Sequence, residues 1–200
     1  DSEFTNSTSH SNATITGDYT GCWHVGTFVG YAKNSSFKNC RASGNSKARA
    51  GVGGFAGRAD YSKFENCIFE KGIVTTPTKF YGNSFGGFVG NGLESEYKNC
   101  SATADIDGGT EVGGFSSWTQ GGKFENCTAD GTVKGNQVYV GGFVGYVTAS
   151  SSFKNCSTKS EVTSTSQMSG GFAGVSYSSG FEGCKATGNV SGTQYVGGHT

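Results

Sequence analysis

The sequence predicts an all-β fold: a single domain over residues 1–200, a parallel β-solenoid (β-helix) of about seven coils of 27–33 residues with three short strands per coil. Three observations lead there. The tetrapeptide Phe-(Lys/Glu)-Asn-Cys recurs at Phe37–Cys40, Phe64–Cys67, Phe124–Cys127 and Phe153–Cys156, with Tyr97 opening the copy that ends at Cys100. Weaker copies begin at Phe4 and Phe181, and the aromatics are spaced by 33, 27, 33, 27, 29 and 28 residues. A glycine motif marches with it, Val52-Gly53-Gly54-Phe55-Ala56-Gly57 and its relatives around Phe28, Phe88, Phe115, Phe143 and Phe172. Finally, the residues after each Cys alternate apolar and polar, the signature of a half-buried strand. A fixed period in this range marks a repeat architecture whose units bury their apolar faces only against neighbours.

Each element follows from its residues. Equivalent positions in stacked coils lie about 4.8 Å apart, so the tetrapeptide aromatics form one inner column and the motif phenylalanines a second. An inward aromatic and an inward Cys two residues beyond its neighbour break strict alternation, so Asn39, Asn66, Asn99, Asn126 and Asn155 sit at a bend. There they form a stacked hydrogen-bonded ladder, read as an inner one. Gly-Gly before the second aromatic suits a corner needing positive φ or close backbone approach. From each Cys to the next Gly-Gly pair the spacing is 13 or 14 residues, except 19 after Cys67, which places the main insertion in 68–85. Three strands in about 28 residues describe one solenoid coil; a propeller blade usually needs about 40 or more.

Composition narrows the function. Thirty-five glycines without a three-residue period, and one proline, exclude collagen and point to tight turns. Fifteen basic and fifteen acidic residues cancel and are scattered, which argues against a nucleic-acid partner. No apolar run approaches the roughly 18 residues of a membrane span, so no membrane insertion is expected.

The VGGFVG and VGGFAG segments resemble the GLUG motif of large extracellular bacterial surface proteins. Here Phe stands where that motif has Leu, and Ser117 replaces the closing Gly of the fourth coil. The resemblance implies an extracellular or cell-surface, adhesin-like context and carries over no catalytic residue.

Candidate chemistry is sparse. Cys40, Cys67, Cys100, Cys127, Cys156 and Cys184 share one repeat position and read as a buried thiol ladder or as staggered disulfides Cys40–Cys67, Cys100–Cys127 and Cys156–Cys184. Their spacing lacks the Cys-x-x-Cys or Cys/His clusters of a zinc site, so no metal or other cofactor is expected. Asp105, Asp107 and Glu161 are the carboxylates nearest to a pair, and no His or Arg accompanies them in register. A ligand surface would use Trp118 and Tyr146, at one repeat position in adjacent coils, with Tyr139 before the Gly-Gly corner and Phe80 and Tyr81 in the insertion. The bland alternative is that these rings cover corners of the core. Neither end carries a distinct polar cap, which leaves two expectations: further coils, or subunits stacking end to end through open strand edges. The function expected is a non-catalytic extracellular structural protein, the rigid shaft of a surface adhesin or a fibre subunit. A carbohydrate-binding module is the alternative, a β-helical polysaccharide-degrading enzyme a third reading. Partners in these readings are a second copy of itself, surface glycans or a host protein.

Overall fold

The computed structural model describes residues 2–15, 24–77, 83–165 and 167–198. Their strands all pair in parallel, with no helix, and stack as a β-solenoid of about six turns in four sheets. Sheet I holds the tetrapeptide strands Glu3–Thr5, Ser36–Lys38, Lys63–Glu65, Glu96–Lys98, Lys123–Glu125, Ser152–Lys154 and Gly180–Glu182. Sheet II holds the segments after each Cys, including the long strands Ile68–Thr75 and Ser101–Gly108. Sheet III holds the strands entering the glycine corner, such as Glu111–Gly113 and Tyr139–Gly141; sheet IV holds those leaving it, such as Ser116–Gln120 and Val144–Thr148.

Two aromatic columns fill the core. Phe4, Phe37, Phe64, Tyr97, Phe124, Phe153 and Phe181 stack with centroids 4.6–5.1 Å apart and planes within 11°. Phe28, Phe55, Phe88, Phe115, Phe143 and Phe172 stack at 4.6–5.0 Å. The columns meet edge to face at 5.6–6.1 Å. Each ring edge, slightly positive, thus points at the electron-rich face of a ring in the other column, the favoured aromatic geometry.

The corner explains its glycines. In the coils that carry the Gly-Gly pair, a Cβ on the first Gly would lie 1.9–2.0 Å from a carbonyl three residues on, as Gly53 against Ala56 and Gly141 against Val144. A Cβ on the second would lie 2.0–2.2 Å from the equivalent glycine carbonyl of the next coil, as Gly87 against Gly114. Close backbone approach, rather than positive φ, is the requirement here. Positive φ belongs to the asparagines instead: Asn39, Asn66, Asn99, Asn126 and Asn155 lie at φ 51–53°, which turns the chain so that the following Cys faces inward. Gly183 takes their place in the last coil at φ +62°.

The insertion splits into two parts. One extra residue forms a bulge between Phe69 and Gly72, and nine residues lie between Thr75 and Phe85 where the next coil has four between Asp107 and Val112. Phe69 replaces the Ala of neighbouring coils, and its ring spreads over Gly54 and Gly72, where a Cβ would lie 2.6 and 2.7 Å from it. The bulge thus accommodates an oversized core residue.

Candidate functional site

The outer surface divides by sheet, and each face suggests a different chemistry. On sheet I the residue after the aromatic alternates in sign from rung to rung: Lys38, Glu65, Lys98, Glu125, Lys154, Glu182. Lys38–Glu65 closes at 3.2 Å, Lys98–Glu125 and Lys154–Glu182 at 3.8 Å. A parallel row repeats the pattern through Lys63, Glu96 and Lys123, at 3.7 and 3.1 Å. Both lysines draw the Glu96 carboxyl below its ordinary pKa, Lys123 more strongly through its hydrogen bond. This face is neutral and self-satisfied. Opposite charges directly across strands favour this rung order and penalise slips that pair like with like.

The asparagine ladder borders the same face. Each side-chain amide donates to the Oδ1 of the preceding coil: Asn39 to Asn6 and Asn66 to Asn39 at 3.0 Å, Asn99 to Asn66 and Asn126 to Asn99 at 3.1 Å, Asn155 to Asn126 at 3.4 Å. It runs along the exposed surface, which corrects its expected inner placement: the left-handed turn that sends Cys inward sends Asn outward. The cysteine column lies behind it, with Cys40, Cys67, Cys100, Cys127 and Cys156 buried as free thiols and Cys184 half-buried. Cys67, Cys100 and Cys127 donate to the carbonyls of Phe37, Phe64 and Tyr97 in the preceding coil at 3.4 Å. Burial, reinforced by its thiol neighbours, pushes Cys127 well above the usual thiol pKa. A thiol held neutral in this way packs as a small apolar side chain.

Sheet II offers little for acid–base work. Asp105 accepts from the Thr132 amide at 3.2 Å and hydroxyl at 2.7 Å, and Thr132 in turn pairs with Glu161, so the two carboxylates stay two rungs apart. Among the described residues no three His, Cys, Asp or Glu side chains gather as a metal site, and no helix is long and apolar enough to cross a membrane.

The sheet III–IV ridge brings the predicted aromatics together. Tyr31, Arg58, Asn91, Trp118, Tyr146 and Val175 form one outward row on sheet IV. Glu111, Tyr139 and Met168 form the facing row on sheet III. Tyr139 stacks on Tyr146 at 4.9 Å and 14°, and Tyr177 meets Tyr146 edge to face at 6.0 Å. Trp118 is half-buried on the next rung. Phe80 and Tyr81 lie outside the described residues. Three residues that the sequence reading missed complete the ridge. Arg58 lies over Tyr31 at 5.6 Å and binds the buried Asp60 at 2.8 Å, while the Tyr31 hydroxyl donates to Asp60 at 2.8 Å. Glu111 is half-buried and accepts from Ser84 at 2.8 Å. Burial raises its carboxyl pKa, and the Ser84 hydrogen bond opposes that shift. Register would have flagged Glu111, because it precedes Val112-Gly113-Gly114 as Tyr139 precedes Val140-Gly141-Gly142.

Residues 108–134 and 136–163 match the GLUG motif. In both GLUG segments the glycines sit where backbone approaches backbone, and Phe115 and Phe143 supply the core ring. No curated protein matches the chain. A similar solved structure is described as a "putative immunoglobulin A1 protease from Bacteroides ovatus", at 21% identity and a TM-score of 0.47. The match covers 98% of this chain and 66% of that one, slightly under two thirds of its length.

Proposed function

We propose that this chain is a stiff, non-catalytic β-solenoid shaft of an extracellular or cell-surface protein, with GLUG coils as its building unit. The observation that carries the reading is the continuity of the two ring columns: no coil from Phe4 to Phe181 interrupts them. Bending such a rod would open stacked rings and shear parallel hydrogen bonds on every side at once. Seven rungs at the strand spacing make it about 30 Å long. The face of sheet I pairs its own charges from rung to rung, as expected of a spacer. Small-angle scattering of the purified chain tests stiffness, with a compact rod expected and a flexible-chain profile overturning the reading. Protease shaving of intact cells tests location, since a shaft on the surface is cut and an internal protein is not. Turnover of any polysaccharide by the pure chain would refute the non-catalytic assignment.

Self-association of two copies would pair their strand edges in parallel. Electron microscopy across a concentration series decides it: fibres support self-stacking, dispersed rods exclude it. A second reading, glycan binding, is favoured by the outward Tyr139–Tyr146 stack beside Trp118. Trp118→Ala and Tyr146→Ala abolish glycan retention on that reading and leave it unchanged if the rings only cover the core.

A further inference from the structure

We propose that the ridge formed by Glu111, Trp118, Tyr139 and Tyr146 is a docking site for an arginine side chain of a partner polypeptide. The first argument is charge. Glu111 is half-buried, its hydrogen bond comes from the neutral Ser84 hydroxyl, and among the described residues no cation pairs with it. A carboxylate withdrawn from water without a positive partner is costly, and it favours a ligand that brings the missing charge.

The second argument is the surface around it. Glu111 pairs in register with Tyr139, Trp118 with Tyr146, and the Tyr139 and Tyr146 rings stack at 4.9 Å. Aromatic faces next to a carboxylate attract a flat, weakly hydrated cation, through the ring quadrupole on one side and ionic hydrogen bonds on the other.

The third argument is a precedent in the same molecule. Three rungs away on the same sheet, an aromatic ring and a carboxylate are already occupied by a guanidinium: Arg58 lies over Tyr31 at 5.6 Å and binds Asp60, two residues along its own strand, at 2.8 Å. The ridge therefore shows one such pairing closed by its own arginine. On the sheet IV row Trp118 is flanked by the neutral amide of Asn91 on one rung and by Tyr146 on the other, so neither neighbour supplies a cation as Arg58 does beside Tyr31. The neutral amide leaves the charge to come from outside. A guanidinium fits better than an ammonium because it stacks flat on a ring while pairing a carboxylate.

The test is a titration of the 200-residue chain with N-acetyl-arginine amide, followed by NMR shifts of the Glu111, Trp118, Tyr139 and Tyr146 amides. N-acetyl-citrulline amide, the same shape without charge, and a neutral oligosaccharide are run in parallel. Saturable shifts with the arginine probe, absent with citrulline and weakened about tenfold in Glu111→Gln, are expected. Glu111→Gln keeps the side-chain shape and the acceptor for Ser84, so its fold is preserved and its effect reads charge alone. Equal shifts with arginine and citrulline, an unaffected Glu111→Gln, or no saturable shift would each overturn the proposal. Shifts with the oligosaccharide that Glu111→Gln leaves intact would overturn it in favour of a glycan surface.

Discussion

Replacing Phe115 with Leu restores the residue that the GLUG pattern carries, and here it should be strongly destabilising. Phe115 is fully buried and touches four rings: Phe88 and Phe143 stack on it at 4.8 and 5.0 Å, and Tyr97 and Phe124 meet it edge to face at 5.7 and 5.8 Å. Leucine keeps most of the buried apolar surface, so simple hydrophobic exchange would cost less than about 1.5 kcal/mol. The ring pairs are the larger effect, since each contributes about 0.5–1.5 kcal/mol beyond its area. Four pairs at the low end give about 2 kcal/mol, and the total should fall at about 2–4 kcal/mol once the residual void is included. Urea unfolding of wild type and Phe115→Leu measures it as a lowered midpoint at unchanged slope. Phe4→Leu, at the exposed end of its column with Phe37 and Phe28 as its ring contacts, should cost far less. If Phe115→Leu loses less than about 1.5 kcal/mol, or no more than Phe4→Leu, the columns are apolar filling and ring geometry stabilises nothing.

Four further outcomes follow from single contacts. Ser117 occupies a closing-glycine position with its Oγ buried and unpartnered, so Ser117→Ala should raise stability by about 1 kcal/mol, read from the same unfolding curves. Asn126→Ala removes two rungs of the amide ladder and puts a Cβ without side-chain compensation at φ 53°, whereas Asn126→Gly tolerates the turn as Gly183 does; the Ala variant should be the less stable of the two by about 1 kcal/mol in thermal unfolding. Glu125→Lys sets three lysines in a row with Lys98 and Lys154 and should cost up to about 1 kcal/mol at low salt, shrinking in high salt because the row is solvent-exposed. Glu111 has a folded-state pKa raised above its unfolded value, so its charge destabilises the fold above that raised pKa and is harmless once the group is protonated in both states. Glu111→Gln should therefore stabilise the chain at neutral pH, and the gain should vanish as pH falls below the ordinary carboxylate range, measured by unfolding across pH.

The stack was legible because its causes repeat. Period, inward residues and insertion site follow from counting, since every coil must present the same shape to its neighbours. The asparagines were legible as a bend but not as an outer one: two non-inward residues, Lys38 and Asn39, separate Phe37 from Cys40, and only the left-handed φ decides where the second points. Lys and Glu also alternate from copy to copy in the tetrapeptide itself. That pattern becomes visible as an ion-pair ladder only when the repeats are laid rung on rung, because charges about 28 residues apart in the chain look scattered. Phe69 was hidden for a different reason. It breaks the alanine column, and the bulge that admits it counts as insertion length.

What remains is the asymmetry of the ridge. A position that stacks between two like neighbours is constrained by both, and through them by the whole column, so its residue type carries no information about a ligand. The outward row Tyr31, Arg58, Asn91, Trp118, Tyr146, Val175 obeys no such constraint, and its residues differ at every rung although the backbone beneath them is regular. At one end of the row, charge is neutralised within the chain by Arg58 and Asp60; toward the other, Glu111 is left without a cation among the described residues. Packing explains the first arrangement and not the second. An unpaired, half-buried carboxylate beside stacked rings adds nothing to the stiffness of the shaft, and its Gln variant should be more stable at neutral pH. A group that weakens the rod it belongs to is better explained by what it meets outside the rod than by anything within it.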